Sequence, residues 1–144
     1  MIPYNLEKTA YEYLQASDIK DIIPFVHGHA YRTLSEWGMP TQQHDQDVYY
    51  GLVMDWLEGE ALSVFNVDIN NACDLLAALA KIHEAGVLHY DTFRRNMMVF
   101  PGTRRVAWID FSCAKINAGD ALASELGDAA GVILELVSTN VISY

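Results

Sequence analysis

The stretch that decides the fold lies between Gly86 and Lys115 and reads GVLHYDTFRRNMMVFPGTRRVAWIDFSCAK. Within it, His89 and Asp91 are followed five residues after the aspartate by Asn96, and Asp110 comes fourteen residues after Asn96. Carboxylate and amide oxygens are hard ligands of the kind that hold magnesium, and a carboxylate can also orient a hydroxyl group or accept its proton. These four residues are therefore the candidates for a functional site.

Two short apolar runs separate Asn96 from Asp110. Residues 97–100 read MMVF and residues 105–109 read RVAWI, with Pro101, Gly102 and Thr103 between them. A proline and a glycine between two apolar runs are a strong turn signal. The sequence thus predicts a β-hairpin whose open end brings Asn96 and Asp110 together.

The combined pattern H-x-D-x-x-x-x-N followed by Asp-Phe resembles the catalytic loop and the metal-binding D-F-G triplet of the protein-kinase-like superfamily. It is most similar to the branch of aminoglycoside phosphotransferases and short fungal kinase-like proteins. The resemblance implies an α+β fold, a reduced kinase-like domain over residues 1–144. Residues 1–57 would be a remnant small lobe and hinge, and residues 58–144 a partial, mainly helical large lobe carrying the hairpin.

The resemblance also implies a role for each site residue. Asp91 would act as the base or orient the acceptor hydroxyl of a small-molecule substrate, while Asn96 and Asp110 would hold Mg²⁺ against the phosphates of ATP. The hinge along the adenine ring would consist of Met54, Asp55, Trp56 and Leu57. Trp56 stacks on a ligand or belongs to the core, and burial in the core is the expected outcome for a tryptophan.

Four of the nine lysine and arginine residues surround the motif: Arg94, Arg95, Arg104 and Arg105. They form either a positive patch that faces phosphate or the solvated edge of the hairpin. Of the four, Arg95 stands next to the metal-ligand position. We therefore expect Arg95 to lie inside and to bind the nucleotide.

The chain departs from the kinase pattern in several places. It contains no Gly-rich loop and no lysine strand of the V-A-I-K type, which in kinases cover and hold the phosphates. Ser112 replaces the last glycine of D-F-G, and Phe93 stands where protein kinases usually place a lysine. A kinase-like core truncated on both sides should leave apolar surface uncovered, so a homodimer or a partner protein is expected to cover it.

Length, composition and charge narrow the class of protein. A chain of 144 residues with 51% hydrophobic residues suits one domain with its own core. The formal net charge of −10 argues against nucleic acid or an anionic membrane as the main partner. No signal peptide is visible, and no apolar run approaches the ~20 residues of a membrane span. A cytoplasmic location is therefore predicted.

Apolar spacing and capping residues predict the elements around the motif. Three helices are expected: residues 6–15 after Asn5, a helix from Asp68 to Glu84 before Gly86, and residues 125–137 after Ser124. The first helix resembles the regulatory helix of the small lobe, in which the matching acid would be Glu7 or Glu12. An exposed charge on the helix surface is nevertheless the expected outcome for each of them. Strands are expected at residues 22–26 and, buried, at residues 48–57, with a loop at residues 31–47.

Three functions remain open from the sequence. The first is an atypical phosphotransferase that moves a phosphoryl group from Mg-ATP to a small-molecule hydroxyl. The second is a non-catalytic, pseudokinase-type binding protein. The third is a kinase fold reused for acid–base isomerisation or cyclisation of a metabolite, with His89, Asp91 and Asp110 in a cleft. The residues expected to line that cleft are Tyr90, Phe93, Met97 and Trp108.

Overall fold

A computed structural model describes residues 3–40, 47–117 and 119–142. The α+β class predicted from the sequence is confirmed. The helices are α1 (Pro3–Ala16), α2 (Ile69–Glu84) and α3 (Ala121–Ile142). The strands are β1 (Val26–Thr33), β2 (Val48–Met54), β3 (Glu60–Ala61), β4 (Val87–Leu88), β5 (Met97–Val99), β6 (Val106–Trp108) and β7 (Lys115–Ile116).

The strands form small antiparallel sheets. β1 pairs with β2 in a long ribbon, β5 pairs with both β3 and β6, and β4 pairs with β7. The β4–β7 pair brackets the segment that carries the candidate residues, because β4 ends at Leu88 and β7 begins at Lys115. The intervening chain is thereby closed into a compact loop with the β5–β6 hairpin at its centre.

Helix α2 begins and ends where the sequence predicts. The Asp68 carboxylate accepts the backbone N–H of Asn71 at 2.8 Å, and the Asn71 side chain accepts the backbone N–H of Asp68 at 2.9 Å. This reciprocal pair satisfies two N–H groups that a helix start otherwise leaves free. Gly86 follows the helix with a φ of +86°, a left-handed conformation that glycine adopts without steric cost.

The predicted hairpin is also confirmed. Met97 pairs with Trp108 and Val99 with Val106 across β5 and β6. The indole N–H of Trp108 donates to the main-chain oxygen of Leu75 in α2 at 2.9 Å. Because Trp108 is fully buried, this bond satisfies its one polar atom and fixes the hairpin against α2.

One buried cluster unites the three helices with the hairpin. Tyr11 of α1, Leu79 of α2 and Ile133 of α3 all belong to it, together with Trp108 and Phe111. Phe111 directly follows the candidate Asp110, so burial of its ring anchors that aspartate to the core. Within the described ranges, no helix combines the length and the apolar character needed to cross a membrane.

The strand predictions were partly wrong. Residues 22–25 run from a turn and a bend into irregular backbone, and β1 starts at Val26 and continues to Thr33, inside the predicted loop. The main-chain oxygen of Ile22 accepts the backbone N–H of Trp108 at 2.8 Å, so this apolar run reaches the core without forming a strand. Residues 41–46 of the predicted loop lie outside the described residues.

The predicted buried strand at residues 48–57 ends at Met54 and is mostly exposed. Its aromatic and β-branched residues pack in a two-stranded ribbon, which has too few layers to bury them. Trp56, expected in the core, is 86% exposed, so that expectation was wrong. The helix starts also differ, because α1 begins at Pro3 and α3 at Ala121, which places Asn5 and Ser124 inside helices.

Candidate functional site

The open end of the hairpin brings the two halves of the motif together. The backbone N–H of Ile109 donates to the main-chain oxygen of Asn96 at 3.0 Å, one residue before Asp110. Residues 94–96 form a single 3₁₀ turn in which the Asn96 N–H bonds to the main-chain oxygen of Phe93 at 2.9 Å. Main-chain bonds therefore set where Asn96 and Asp110 leave the sheet.

The side chain of Asn96 fixes Asp91. Its Nδ2 donates to the main-chain oxygen of Asp91 at 2.9 Å and to the carboxylate Oδ2 of Asp91, also at 2.9 Å. Asn96 is buried, so these bonds satisfy both amide hydrogens in a place where water cannot. They also orient the amide, since Oδ1 is left as its acceptor atom. An oxygen ligand is thus held beside the carboxylate of the predicted base.

Arg95 also binds the Asp91 carboxylate. Its Nη2 lies 2.9 Å from Oδ1 and 2.8 Å from Oδ2, and its guanidinium stands 4.9 Å from the ring centre of Phe93. The Arg95 side chain is 63% exposed, whereas that of Asp91 is 15% exposed. The expectation that Arg95 lies inside was wrong, but the residue does contact the candidate site.

The other two arginines after the hairpin turn belong to its edge. Arg104 forms a two-armed ion pair with Asp74 of α2, at 2.9 and 3.0 Å. Arg105 lies over the ring of Phe100 at 4.4 Å. For these two residues the structure favours the solvated-edge interpretation over a patch that faces phosphate.

His89 is fully buried and both of its ring nitrogens are engaged. Nδ1 accepts the backbone N–H of Asp91 at 3.2 Å, so Nε2 carries the proton and donates it to the main-chain oxygen of Ile109 at 2.9 Å. Burial lowers the pKa of His89, although the bond to Ile109 and the nearby carboxylates act in the opposite direction. The ring therefore joins the Asp91 segment to the Asp110 segment as a neutral brace and has no nitrogen free for a substrate.

Sequence reasoning missed Glu125 as part of the site. Its Oε1 accepts His83 Nε2 and the backbone N–H of His89, both at 2.8 Å, and its Oε2 accepts the backbone N–H of Tyr90 at 2.7 Å. Burial raises the pKa of Glu125, but these three donors outweigh burial and hold the pKa below its ordinary value. The ionised carboxylate thus ties α3 to the loop that begins at His89 and Tyr90.

The spacing of α3 contained a signal for this role. Glu125 stands four residues before Ala129 and eight before Ile133, on the stripe that the helix turns towards the core. A single acid on such a stripe requires buried partners. His83 of α2, whose side chain is itself almost fully buried, is one of these partners.

Two site residues adopt left-handed backbone conformations that are uncommon outside glycine. The φ of Tyr90 is +69° and that of Asp110 is +61°. Such a conformation costs roughly 1–2 kcal/mol for an ordinary residue. At Tyr90, the bond from its backbone N–H to Glu125 offsets this cost. At Asp110, the cost is offset by the bond that the side-chain carboxylate accepts from the Ser112 backbone N–H, at 3.2 Å. Backbone strain of this kind concentrates at functional sites.

Helix α1 contributes one carboxylate to the site. Burial raises the pKa of Glu7, and the charge of Asp110 raises it further, while the donating backbone N–H of Phe111 lowers it. Glu12 instead faces outwards and pairs with Lys8 at 3.6 Å. Of the two acids left open by the sequence, Glu7 is therefore the one beside Asp110. Two neighbouring carboxylates make this end of the site attractive to a cation.

The predicted metal and hinge residues take the following positions. Across the three described ranges, no group of three or more His, Cys, Asp or Glu side chains is arranged to hold a metal ion. A magnesium ion at Asn96 and Asp110 would accordingly depend on phosphate oxygens for its remaining ligands. In the predicted hinge, the Asp55 backbone N–H already donates to the main-chain oxygen of Phe25 at 2.9 Å. Met54 and Leu57 are partly buried.

Four residues were expected to line an apolar cleft at the site, and for two of them this prediction was wrong. Met97 and Trp108 are fully buried in the core, whereas Tyr90 and Phe93 are exposed. A recess of about 280 Å³ lies beside Tyr90. Its lining consists of Leu88, Tyr90, Thr92, Ala121, Ser124, Glu125 and Asp128.

No model of a known protein family matches the chain, and no curated protein sequence matches it either. Function is therefore inferred from the geometry of the site.

Proposed function

We propose that the chain is an atypical phosphotransferase, which uses Mg-ATP to phosphorylate the hydroxyl group of a small molecule. The observation that carries this proposal is the clamp of Asn96 on Asp91 at the open end of the hairpin that leads into Asp110. A clamp of this kind holds an acceptor-orienting carboxylate beside Asn96, at the end of the hairpin where the chain continues into Asp110. Phosphoryl transfer depends mainly on such positioning.

The residues would divide the work as follows. Asp91 would hold the acceptor hydroxyl and take its proton as the bond to phosphorus forms. Magnesium, held by Asn96 Oδ1 and Asp110, would supply neutralisation of the phosphate charge. Arg95 would contribute a second cation on the side open to solvent, and residues 54–57 would line the nucleotide base. His89 and Glu125 would position the loop without touching substrate.

The arrangement of elements supports a reduced kinase-like fold. Helix α1 and the β1–β2 ribbon precede residues 54–57, and α2 precedes the segment with Asp91. Burial first, and then the charge of Asp110, raise the pKa of Glu7 of α1, which supports a position of this helix beside Asp110 like that of a regulatory helix. On this proposal, residues 1–57 and 58–144 correspond to the two lobes of one domain.

The acid–base alternative is disfavoured by His89. Both of its nitrogens are bound within the protein, and burial lowers its pKa, so it cannot exchange a proton with a metabolite in this arrangement. A non-catalytic binding protein with the same site remains the second candidate. The two differ in turnover, because a binding protein takes up nucleotide without consuming it.

Calorimetry of ATP binding, with and without magnesium, tests the proposal. Magnesium should tighten binding, and Asp110→Asn should remove at least about ten-fold in affinity, as the loss of groups around a metal commonly does. Asp18→Asn, a matched change at an exposed carboxylate just after α1, should have little effect. Tight binding that ignores both magnesium and Asp110→Asn would refute the assigned metal site.

Release of inorganic phosphate from Mg-ATP separates the catalytic candidate from the binding candidate. Slow transfer to water should occur without an added acceptor and should be lost in Asp91→Asn. Binding without any phosphate release, under conditions that would reveal one turnover per hour, would assign the chain to the binding class.

A further inference from the structure

Every oxygen of the Asp91 carboxylate is occupied. Oδ2 accepts Asn96 Nδ2 at 2.9 Å and Arg95 Nη2 at 2.8 Å, while Oδ1 accepts Arg95 Nη2 at 2.9 Å. Asn96 reaches one oxygen, whereas Arg95 covers both. A hydroxyl group that needs Asp91 therefore meets a carboxylate already covered by Arg95.

Arg95 is the cation best placed to leave this contact for a phosphate group. Its Nη2 makes both bonds to Asp91, so the Nε and Nη1 donors of the guanidinium are not spent on the carboxylate. The Arg95 side chain is 63% exposed, so solvent screens its side of the ion pair and lowers what the pair contributes. A phosphate offers more oxygen and more charge than a carboxylate, and a guanidinium can bind it through two of its nitrogens at once.

Other cations in this region are less suited to the task. Lys115 places its Nζ 4.4 Å from the ring centre of Tyr90, and Arg104 is held by both arms on Asp74. Arg94 adjoins Arg95 in the chain but makes no ion pair within the described residues. Arg95 is thus distinguished from its neighbour by its contacts with Asp91 and with the ring of Phe93.

We infer that Arg95 couples nucleotide binding to the release of Asp91. In the absence of nucleotide, Arg95 covers the carboxylate; a bound terminal phosphate draws the guanidinium away and uncovers Oδ1 for the acceptor hydroxyl. Asp91 itself stays in place, because Asn96 still holds Oδ2 and the main-chain oxygen. This inference rests on the proposed phosphotransferase function and adds an order of binding to it, in which the nucleotide binds before the acceptor.

The coupling has a consequence for nucleotide affinity. Asp91 and the phosphate compete for one guanidinium, so removing the Asp91 charge should tighten Mg-ATP binding. Breaking a pair as exposed as this one corresponds to about two- to five-fold in affinity. Loss of a nearby negative charge alone would also favour an anion, but that effect does not require Arg95.

A double-mutant cycle read by calorimetry with Mg-ATP separates these two causes. Asp91→Asn keeps an acceptor oxygen for Asn96 and should tighten binding by about two- to five-fold. In an Arg95→Ala background the same change should tighten binding distinctly less, because only the effect of the lost charge remains. Arg95→Ala alone should weaken binding, while the matched control Arg94→Ala, which removes the same charge one residue away, should weaken it much less.

Each outcome decides the inference. Equal tightening by Asp91→Asn with and without Arg95 would overturn the competition while leaving the proposed function intact. Equal losses in Arg95→Ala and Arg94→Ala would show that Arg95 makes no particular contact with phosphate, and would also overturn it. Absence of Mg-ATP binding in every variant, including the unchanged protein, would overturn the proposed function and the coupling together.

Discussion

Replacing Glu125 with glutamine should destabilise the protein by about 3 kcal/mol. The carboxylate accepts three hydrogen bonds, from His83 Nε2 and from the backbone N–H groups of His89 and Tyr90, at 2.8, 2.8 and 2.7 Å. Glutamine turns one of the two acceptor oxygens into an NH₂ group that faces a donor. One buried donor left without an acceptor costs about 1–3 kcal/mol, and loss of the charge weakens the remaining bonds.

Urea unfolding measures this loss, with an unchanged slope expected because the surface exposed on unfolding stays the same. Glu135→Gln is the matched control, since Glu135 lies on the exposed side of the same helix. It should change stability by less than about 0.5 kcal/mol. Hydrogen exchange at the His89 and Tyr90 amides should also accelerate in Glu125→Gln. A loss as small as that of the control would refute the assigned role of Glu125.

Two further outcomes follow from the same groups and from the ribbon. Both Glu125 and His89 have pKa values below their ordinary ones in the folded state, so each contributes stability above its unfolded pKa and loses it as pH falls through the folded pKa. Stability should therefore begin to fall below about pH 6.5, as His89 gains a proton in the unfolded chain, and should fall further below about pH 4.5, as Glu125 gains one there. Urea midpoints across pH 4–8 measure this. Tyr31, Tyr50 and Val53 expose apolar surface on the β1–β2 ribbon, so sedimentation should show a species heavier than one chain, and a monomer at every concentration would contradict the predicted homodimer.

The sequence was informative wherever the structure depends on neighbouring residues. Asp68 and Gly86 mark the limits of α2, because capping and left-handed termination act within one helical turn. Pro101 and Gly102 predict the hairpin turn for the same reason. The hairpin turn and the motif spacing together place Asn96 and Asp110 at the open end of one hairpin before any tertiary contact is known.

In the β1–β2 ribbon and the residues that follow it, the amino-acid composition did not predict which side chains are exposed. Residues 48–54 have the β-branched and aromatic content of a buried strand, yet the ribbon leaves most of them exposed. Trp56 is a residue type that is usually buried, but no packed layer covers it here. Burial depends on how many layers surround an element, which is a property of the whole fold.

Only the tertiary structure decided which charged groups meet. Whether Glu7 or Glu12 faces Asp110 depends on the rotation of α1 against the core, and that rotation is set by the burial of Tyr11, a contact distant in sequence from the site. The sequence by itself determined the local frame of helix caps, hairpin and motif spacing, because short-range sterics and hydrogen bonds govern these. The pairing of buried carboxylates with donors required packing between elements tens of residues apart, because an ionised group is stable inside a protein only where the fold brings its partners to it.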